Sequence, residues 1–440
     1  MKRILLPLLI ASSLFKAQTS INVFSQIVFY DGYAANVSQP VPANTIRLAN
    51  SRYTRKLTDA ELNSFQNKIQ MNVTIGALCD NYDRIGGVHI ALVPKGQASY
   101  TMDDPLVKRF EVGRYITPFM NKNVSPTQVP YTYDVDNLYA VFSNTALRTA
   151  YDIWVELDVF GVPYAANTQV AGCASRNDVF AGTLAFVTSN DPTVNNNFNT
   201  ILPMLDSSPL NNYNNTDVAG ETVRLVNFNL TQTAANPKFF IVSTPHGAGT
   251  NGEEYVRRQN FVSLDNTQVL TFTPGGKSCE PYRMYNTQGN GIYGTTPKSF
   301  AWWTSWNNWC PGDSVPIRTF SVPTLSAGNH LLKYEVPDAV FYNQDGQVVL
   351  SMYMQSLNQN LSVNDISTTD VSLYPNPTAD YVTVKGQKKV KLISIFSTDG
   401  RKLSETTESR ADLTAYPAGS YILDITLESG IRFTHKVIKK

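Results

Sequence analysis

An all-β fold is what this chain of 440 residues predicts, and three observations carry the prediction. Short runs of β-branched and aromatic residues recur along its length with Gly, Pro, Asn and Asp between them, the pattern of a sandwich. Hydrophobic residues make up 42% of the chain and aromatic residues 11%, enough for packed cores and rich in the rings that strands favour. Helix signals are confined to Thr58-Asp59-Ala60-Glu61-Leu62, where Thr and Glu stand at capping-box spacing. About 350 residues remain once the two ends are set aside, more than one core usually fills, so two domains are expected.

Taken in order, Met1-Lys2-Arg3 and the apolar run Ile4–Phe15 form a signal peptide over residues 1–17, cut after Ala17. The apolar run is too short for a membrane span, which needs ~20 residues, and no later segment qualifies, so the chain is read as secreted. Residues 18–190 are expected as an N-terminal sandwich with strands at Ile21–Tyr30, Ile69–Leu78, Val88–Val93, Val107–Ile116, Tyr151–Phe160 and Leu184–Thr188. The part from Ile21 to Phe65, with Tyr30-Asp31-Gly32-Tyr33, is either the first strands of that sandwich or an added cap over a cleft. Residues 191–217, rich in Asn, Pro and Ser, are expected as a linker or surface loop. A second sandwich follows over 218–358, with strands at Val223–Thr231, Phe239–Thr244, Asn260–Leu264, Val269–Phe272, Leu331–Val336 and Val348–Met354. Residues 359–369 link it to a small β-rich unit at 370–440.

The segment Cys79-Asp80-Asn81-Tyr82-Asp83-Arg84 lies between two strand-like runs and is expected at a hairpin tip. A bare turn prefers Gly, Asn or Pro and needs no acid, phenol and guanidinium together, so this loop is a candidate site. The net charge of +1 offers no footprint for nucleic acid and removes that class of partner. Four cysteines in an exported chain can make two disulfides. Cys279 and Cys310 enclose one loop-rich segment and are the first pair expected; Cys79 and Cys173 remain, and their pairing would tie the Asp83 loop to another loop. Four of the five tryptophans fall in Phe300–Gly312. Some are expected in the core and one or two exposed, where an indole stacks on a sugar face.

Three motifs resemble those of the peptide-N-glycosidase F family. They are Cys79-Asp80-x-Tyr82-Asp83-Arg84, Phe110-Glu111-Val112-Gly113-Arg114-Tyr115-Ile116-Thr117-Pro118-Phe119, and Trp309-Cys310-Pro311-Gly312-x-x-Val315-Pro316, in that order. The resemblance implies two adjacent eight-stranded, jelly-roll-like sandwiches with the site in the cleft between them, and an amidase acting on N-linked glycoproteins or glycopeptides. It implies Asp83, Glu254 and Asp158 as catalytic acids, with Asp83 at the scissile amide, Glu254 orienting water or substrate, and Asp158 in support. Around them Tyr82, Arg84, Glu156, Tyr255, Trp303, Trp306 and Trp309 are expected to bind substrate, with Arg84 holding Asp83 ionised or serving as a scaffold ion pair. Cys279 stands where the family's disulfide partner of Cys310 belongs. The chain departs from the family at Tyr82 and Tyr255, where the family has tryptophan, and at Trp306, where it has arginine. A glycan-binding surface protein on the same scaffold, without catalysis, is the alternative.

The last seventy or so residues, with Tyr374-Pro375-Asn376-Pro377 and Pro417-Ala418-Gly419-Ser420-Tyr421, resemble the C-terminal sorting domain of the type IX secretion system. That implies the outer-membrane export machinery as a partner; a generic β-sandwich appendage is the alternative. No cofactor or metal is implied. His89, His246, His330 and His435 are scattered, no His-Glu-x-x-His occurs, and Gly275-Gly276-Lys277-Ser278 lacks the first glycine of a phosphate loop.

Overall fold

Alternation decides the first sandwich. Along Lys68–Ala77 the side chains at Ile69, Met71, Val73 and Ile75 are fully buried while their neighbours are partly exposed, the signature of a strand with one face on a core. The computed structural model describes residues 18–194, 197–213, 220–249, 252–305, 307–357, 371–386, 389–397, 401–428 and 432–440. The expected signal peptide, Trp306 and the expected linker 359–369 lie outside the described residues. The chain divides into two units, Met1–Ser362 and Val363–Lys440.

Nine strands build the first sandwich: β1 (Thr19–Tyr30), β2 (Thr45–Ala49), β3 (Arg52–Lys56), β4 (Lys68–Ala77), β5 (Ile85–Pro94), β6 (Lys108–Ile116), β7 (Gln128–Asp134), β8 (Tyr151–Val159) and β9 (Asp178–Ser189). One sheet runs β1-β9-β4-β7, the facing sheet β6-β5-β8-β3-β2, and the core between them includes Phe29, Val73, Phe110, Leu157 and Phe186. Residues 19–65 therefore supply strands of the sandwich. Thr58 and Glu61 make the expected capping box at the start of the helix Asp59–Ser64. Further short helices at Tyr139–Phe142, Thr145–Ala150, Ala166–Gln169 and Phe300–Thr304 correct the expectation of a single one. At one or two turns each they carry too little periodicity to be read from sequence.

The second sandwich uses β10 (Leu202–Leu210), β11 (Val223–Leu230), β12 (Ala234–Ala235), β13 (Lys238–His246), β14 (Asn260–Leu264), β15 (Thr267–Phe272), β16 (Ser314–Val315), β17 (Arg318–Ser321), β18 (Thr324–Leu325), β19 (Gly328–Glu335) and β20 (Gln347–Gln355). Its main sheets are β10-β20-β13-β17 and β11-β19-β14-β15. Strand β10 lies inside the segment expected as linker, which corrects that reading for Leu202–Leu210. Pro203 and Pro209 hide it, and it occupies a sheet edge, where proline is tolerated.

The two sandwiches are joined by backbone and by buried charge. Strand β16 leaves the second half to pair with Arg114 and Tyr115 of β6, extending a sheet of the first. The buried Arg114 guanidinium donates to Glu111 at 2.6 and 2.8 Å, then crosses to Thr244 Oγ1 at 2.8 Å and the Val349 carbonyl at 2.6 Å. Nearly all its donors are used, as a buried cation requires.

In the second unit a three-stranded sheet (Val371–Tyr374, Tyr381–Gly386, Arg410–Asp412) and a four-stranded one (Lys402–Thr406, Val390–Ser397, Gly419–Leu427, Arg432–Lys439) enclose Val382, Ile393, Leu423 and Ile425.

Candidate active site

The Asp83 loop is fastened on both sides so that its acid is presented rather than free. Strands β4 and β5 belong to opposite sheets, so Cys79–Arg84 is a crossover at the end of the sandwich; the expectation of a hairpin tip is corrected. Cys79 is tied to Cys173 by a disulfide. Asp80, buried, accepts from the Tyr82 amide at 2.9 Å, the Val162 amide at 2.7 Å and Arg84 Nε at 2.7 Å. Arg84 is the scaffold partner of Asp80, as one of the two expectations had it; its charge also favours ionised Asp83, but burial and Glu254 outweigh it, so it does not hold that carboxyl ionised. The Arg84 amide donates to Thr117 Oγ1 at 2.8 Å, and that hydroxyl donates to the Tyr82 carbonyl at 3.1 Å. Between these anchors Asp83 places Oδ2 where it is buried with no hydrogen-bond partner. Burial, and next the charge of Glu254, push the Asp83 carboxyl up to about 8.

Glu254 sits in a turn after β13. Asn308 staples that turn, donating to the carbonyls of Glu253 and Glu254 at 2.9 Å each and of Val256 at 3.1 Å. The preceding Glu253 is buried against Arg258 and the Val340 amide. Burial raises the Glu254 carboxyl, offset by hydrogen bonds from the Tyr255 hydroxyl and the Gly247 amide. Glu254 and Tyr255 share a narrow pocket with Trp309, Ile292 and the Cys279–Cys310 disulfide. Trp303 also lines it and is fully buried, its Nε1 donating to Glu280 at 2.9 Å, so it is one of the tryptophans of this segment that go to the core. Trp309 is half-buried, anchored by Nε1 to the Pro245 carbonyl at 3.0 Å. Tyr82 is 43% exposed, with its ring against Phe119 and Arg84.

The three motifs meet at the end of β6. Thr117 holds the Asp83 loop, while Ile116 accepts from the Gly312 amide and donates to the Asp313 carbonyl, both at 3.0 Å. The Trp309–Pro316 motif is therefore bonded to the same strand end as Asp83, and Asn308, which staples the Glu254 turn, directly precedes it.

Asp158 belongs to a different cluster. It lies opposite Gly87 on β5 and Arg52 on β3, with Arg52 at 2.5 Å and His89 Nε2 at 3.6 Å. Burial works against its ionisation, but Arg52 and His89 outweigh it and hold the carboxyl well below the usual range. Glu254 is the like charge that bears most on Asp83, whereas the charges that bear most on Asp158 are those of Arg52 and His89. Glu156 is fully buried, its carboxylate taken by Arg52 at 3.1 Å, Arg109 at 2.8 Å and Tyr100 at 2.8 Å. It has no face for a substrate, and the expectation that it binds one is corrected.

Sequence reasoning missed His89, Arg52, Asp206 and Asn308. His89 Nδ1 meets Asp206 of β10 at 2.6 Å, and this pairing leads the effects that hold the imidazole up at about 10 against burial. An isolated histidine in a strand and an aspartate in an apparent linker carry no local signal. Asn308 was visible only as a polar residue among tryptophans.

Comparison with known proteins agrees with this layout. The family model described as Peptide-N-glycosidase F, N terminal matches residues 20–175, and that described as Peptide-N-glycosidase F, C terminal matches 212–355. A secretion system C-terminal sorting domain matches 372–440. Among solved structures, PNGF-II is similar with a TM-score of 0.56 at 18% identity, over 77% of this chain and 65% of that one. The chain thus spans about two thirds of that relative's length. PNGase F, a glycosylasparaginase from Flavobacterium meningosepticum, is similar with a TM-score of 0.50 at 12% identity, over 79% of this chain and 98% of that one. At such identities the likeness to these structures speaks for the fold. No curated protein matches the chain.

Proposed function

Since the chain belongs to the peptide-N-glycosidase F family, with a sorting domain that directs it through type IX export to the surface or medium, we propose that it hydrolyses the amide joining the innermost N-acetylglucosamine to asparagine in N-linked glycoproteins or glycopeptides. The observation that carries the reading is the Asp83–Glu254 pair, two carboxyls brought together from different sandwiches with one buried oxygen unpartnered. Paired acids in a cleft titrate apart and can divide the two proton tasks of amide hydrolysis. Ionised Asp83 takes a proton from water; the resulting hydroxide adds to the amide carbonyl; the C–N bond breaks; and the proton passes to the departing glycosylamine nitrogen. Glu254, oriented by Tyr255 and Gly247, holds the water or the substrate amide. Trp309 and Tyr82 offer ring faces to sugar, and Asp158, 22% exposed and paired with Arg52, stands in support.

The test is to incubate the full chain, and its Asp83→Asn variant, with a denatured N-glycoprotein and analyse both products. Release of the whole glycan with conversion of Asn to Asp, lost in the folded variant, is the expected result. A peptide that keeps one sugar would move the reaction into the chitobiose and end this reading. Glycan binding without release would favour the non-catalytic alternative.

A further inference from the structure

The register of the first sandwich gathers several strand ends where Asp83 lies. Tyr30 pairs with Asp178, Ala77 with Phe180, and Gly86 with Val159, so the loops after β1, β4 and β8 leave from one end. Two of those loops carry exposed rings that the proposed chemistry does not use. Tyr33 is 74% exposed and Tyr164 57% exposed. Both are fixed to the same buried carboxylate: Asp31 Oδ1 accepts from the Tyr33 amide at 3.0 Å and from the Tyr164 hydroxyl at 3.5 Å. The Tyr33 ring rests edge-on against Phe160 at 5.0 Å.

These rings do not sit on loose loops. The Gly32 amide donates to the Gly161 carbonyl and the Asp31 amide to the Asn177 carbonyl, both at 2.9 Å. A Cβ on residue 32 would stand 2.5 Å from the Phe160 ring, so glycine is what lets the loops close together. The loop of Tyr164 hangs from the active loop as well, because the Val162 amide donates to Asp80 Oδ2 at 2.7 Å. By the reach of the intervening chain, Tyr164 lies within roughly 20 Å of Asp83. Tyr82, the third exposed ring of this end, lies on the active loop between Asp80 and Asp83.

Rigid, exposed phenols suit a pyranose, whose C–H face stacks on an aromatic ring. We propose that Tyr33 and Tyr164, held in place by the buried Asp31, form an outer carbohydrate subsite, which takes sugars distal to the one held at Asp83. This rests on the glycoamidase reading for its direction and extends it to the substrate: the chain would prefer extended glycans over truncated ones.

The test uses the full chain with Asp83→Asn to prevent turnover, titrated with a free oligomannose glycan and with chitobiose alone. The proposal expects tighter binding of the longer glycan, and a loss of at least about tenfold in that affinity for Tyr33→Ala/Tyr164→Ala. It expects chitobiose affinity and thermal stability to be unchanged, and Tyr33→Phe/Tyr164→Phe to keep most of the gap. Equal affinity for the two glycans, or no effect of the double alanine variant on the longer one, would overturn it. An equal loss for both glycans would also overturn it, since the rings would then act on the inner site or on folding. If the parent enzyme releases no glycan while the affinity gap and its loss are both seen, the amidase reading falls and the outer subsite stands.

Discussion

Asp83 is the residue on which the account turns, and its environment yields two linked expectations. In the unfolded chain an aspartate ionises near pH 4, whereas burial and Glu254 keep Asp83 protonated in the fold up to about 8. Ionising it in place is therefore a cost that grows as pH rises from 4 to 8 and is complete above that. Asp83→Asn removes the cost and should raise stability at pH 8.5 by on the order of 2–4 kcal/mol, with the gap closing toward pH 4. Thermal melts at the two pH values check this. If the ionised form takes the proton from water, kcat/KM should climb with pH through a midpoint near 8, and Glu254→Gln should move that midpoint downward. An unmoved midpoint would mean that the two acids do not act as a pair. Asp83 was legible because a turn has no use for its neighbours. Arg84 was harder to read: its choice of Asp80 over the adjacent Asp83 depends on how the loop folds back.

Single elements show why local pattern succeeds and fails. Strands such as Ile69–Leu78 announced themselves by alternation, because one face meets a core and the other does not. Strands β2 and β3, with Arg47, Arg52, Arg55 and Lys56 among few apolar residues, did not, since these side chains find their carbonyl and carboxylate partners only in the fold. Strand β10 was concealed by prolines among asparagines, and with it Asp206 and the cluster that holds Asp158. The staple by Asn308 belongs to this scale too. Asn308→Ala removes three hydrogen bonds to the Glu254 turn and should cost about 1–3 kcal/mol of stability. It should also lower kcat/KM by about tenfold or more through misplacement of Glu254, while Asp83 itself is untouched. Steady-state kinetics beside a melting curve separate the two effects. Unchanged kinetics would show that the turn holds itself.

At the scale of the molecule, the two sandwiches act as one body only if their shared face holds. Arg114 is buried and bonded across that face, so Arg114→Ala leaves Glu111 buried without its cation. We expect a loss of about 3–5 kcal/mol, with activity lost in parallel with folding. Denaturant melts check this, and a loss under 1 kcal/mol would mean that the interface tolerates the unpaired acid. That the halves pair at all was legible only through the order of three motifs; no periodicity in either half reveals which edge of one meets the other. The sorting domain, by contrast, was legible from its own short motifs and carries an address rather than chemistry.

The most direct measurement is the mass of the peptide product formed by the full chain from an N-glycopeptide in heavy-oxygen water. The account predicts aspartate at the former glycosylation site with one heavy oxygen in its new carboxyl group, and an intact chitobiose on the released glycan. An asparagine still bearing one N-acetylglucosamine, with the heavy oxygen on the departing sugar, would contradict it.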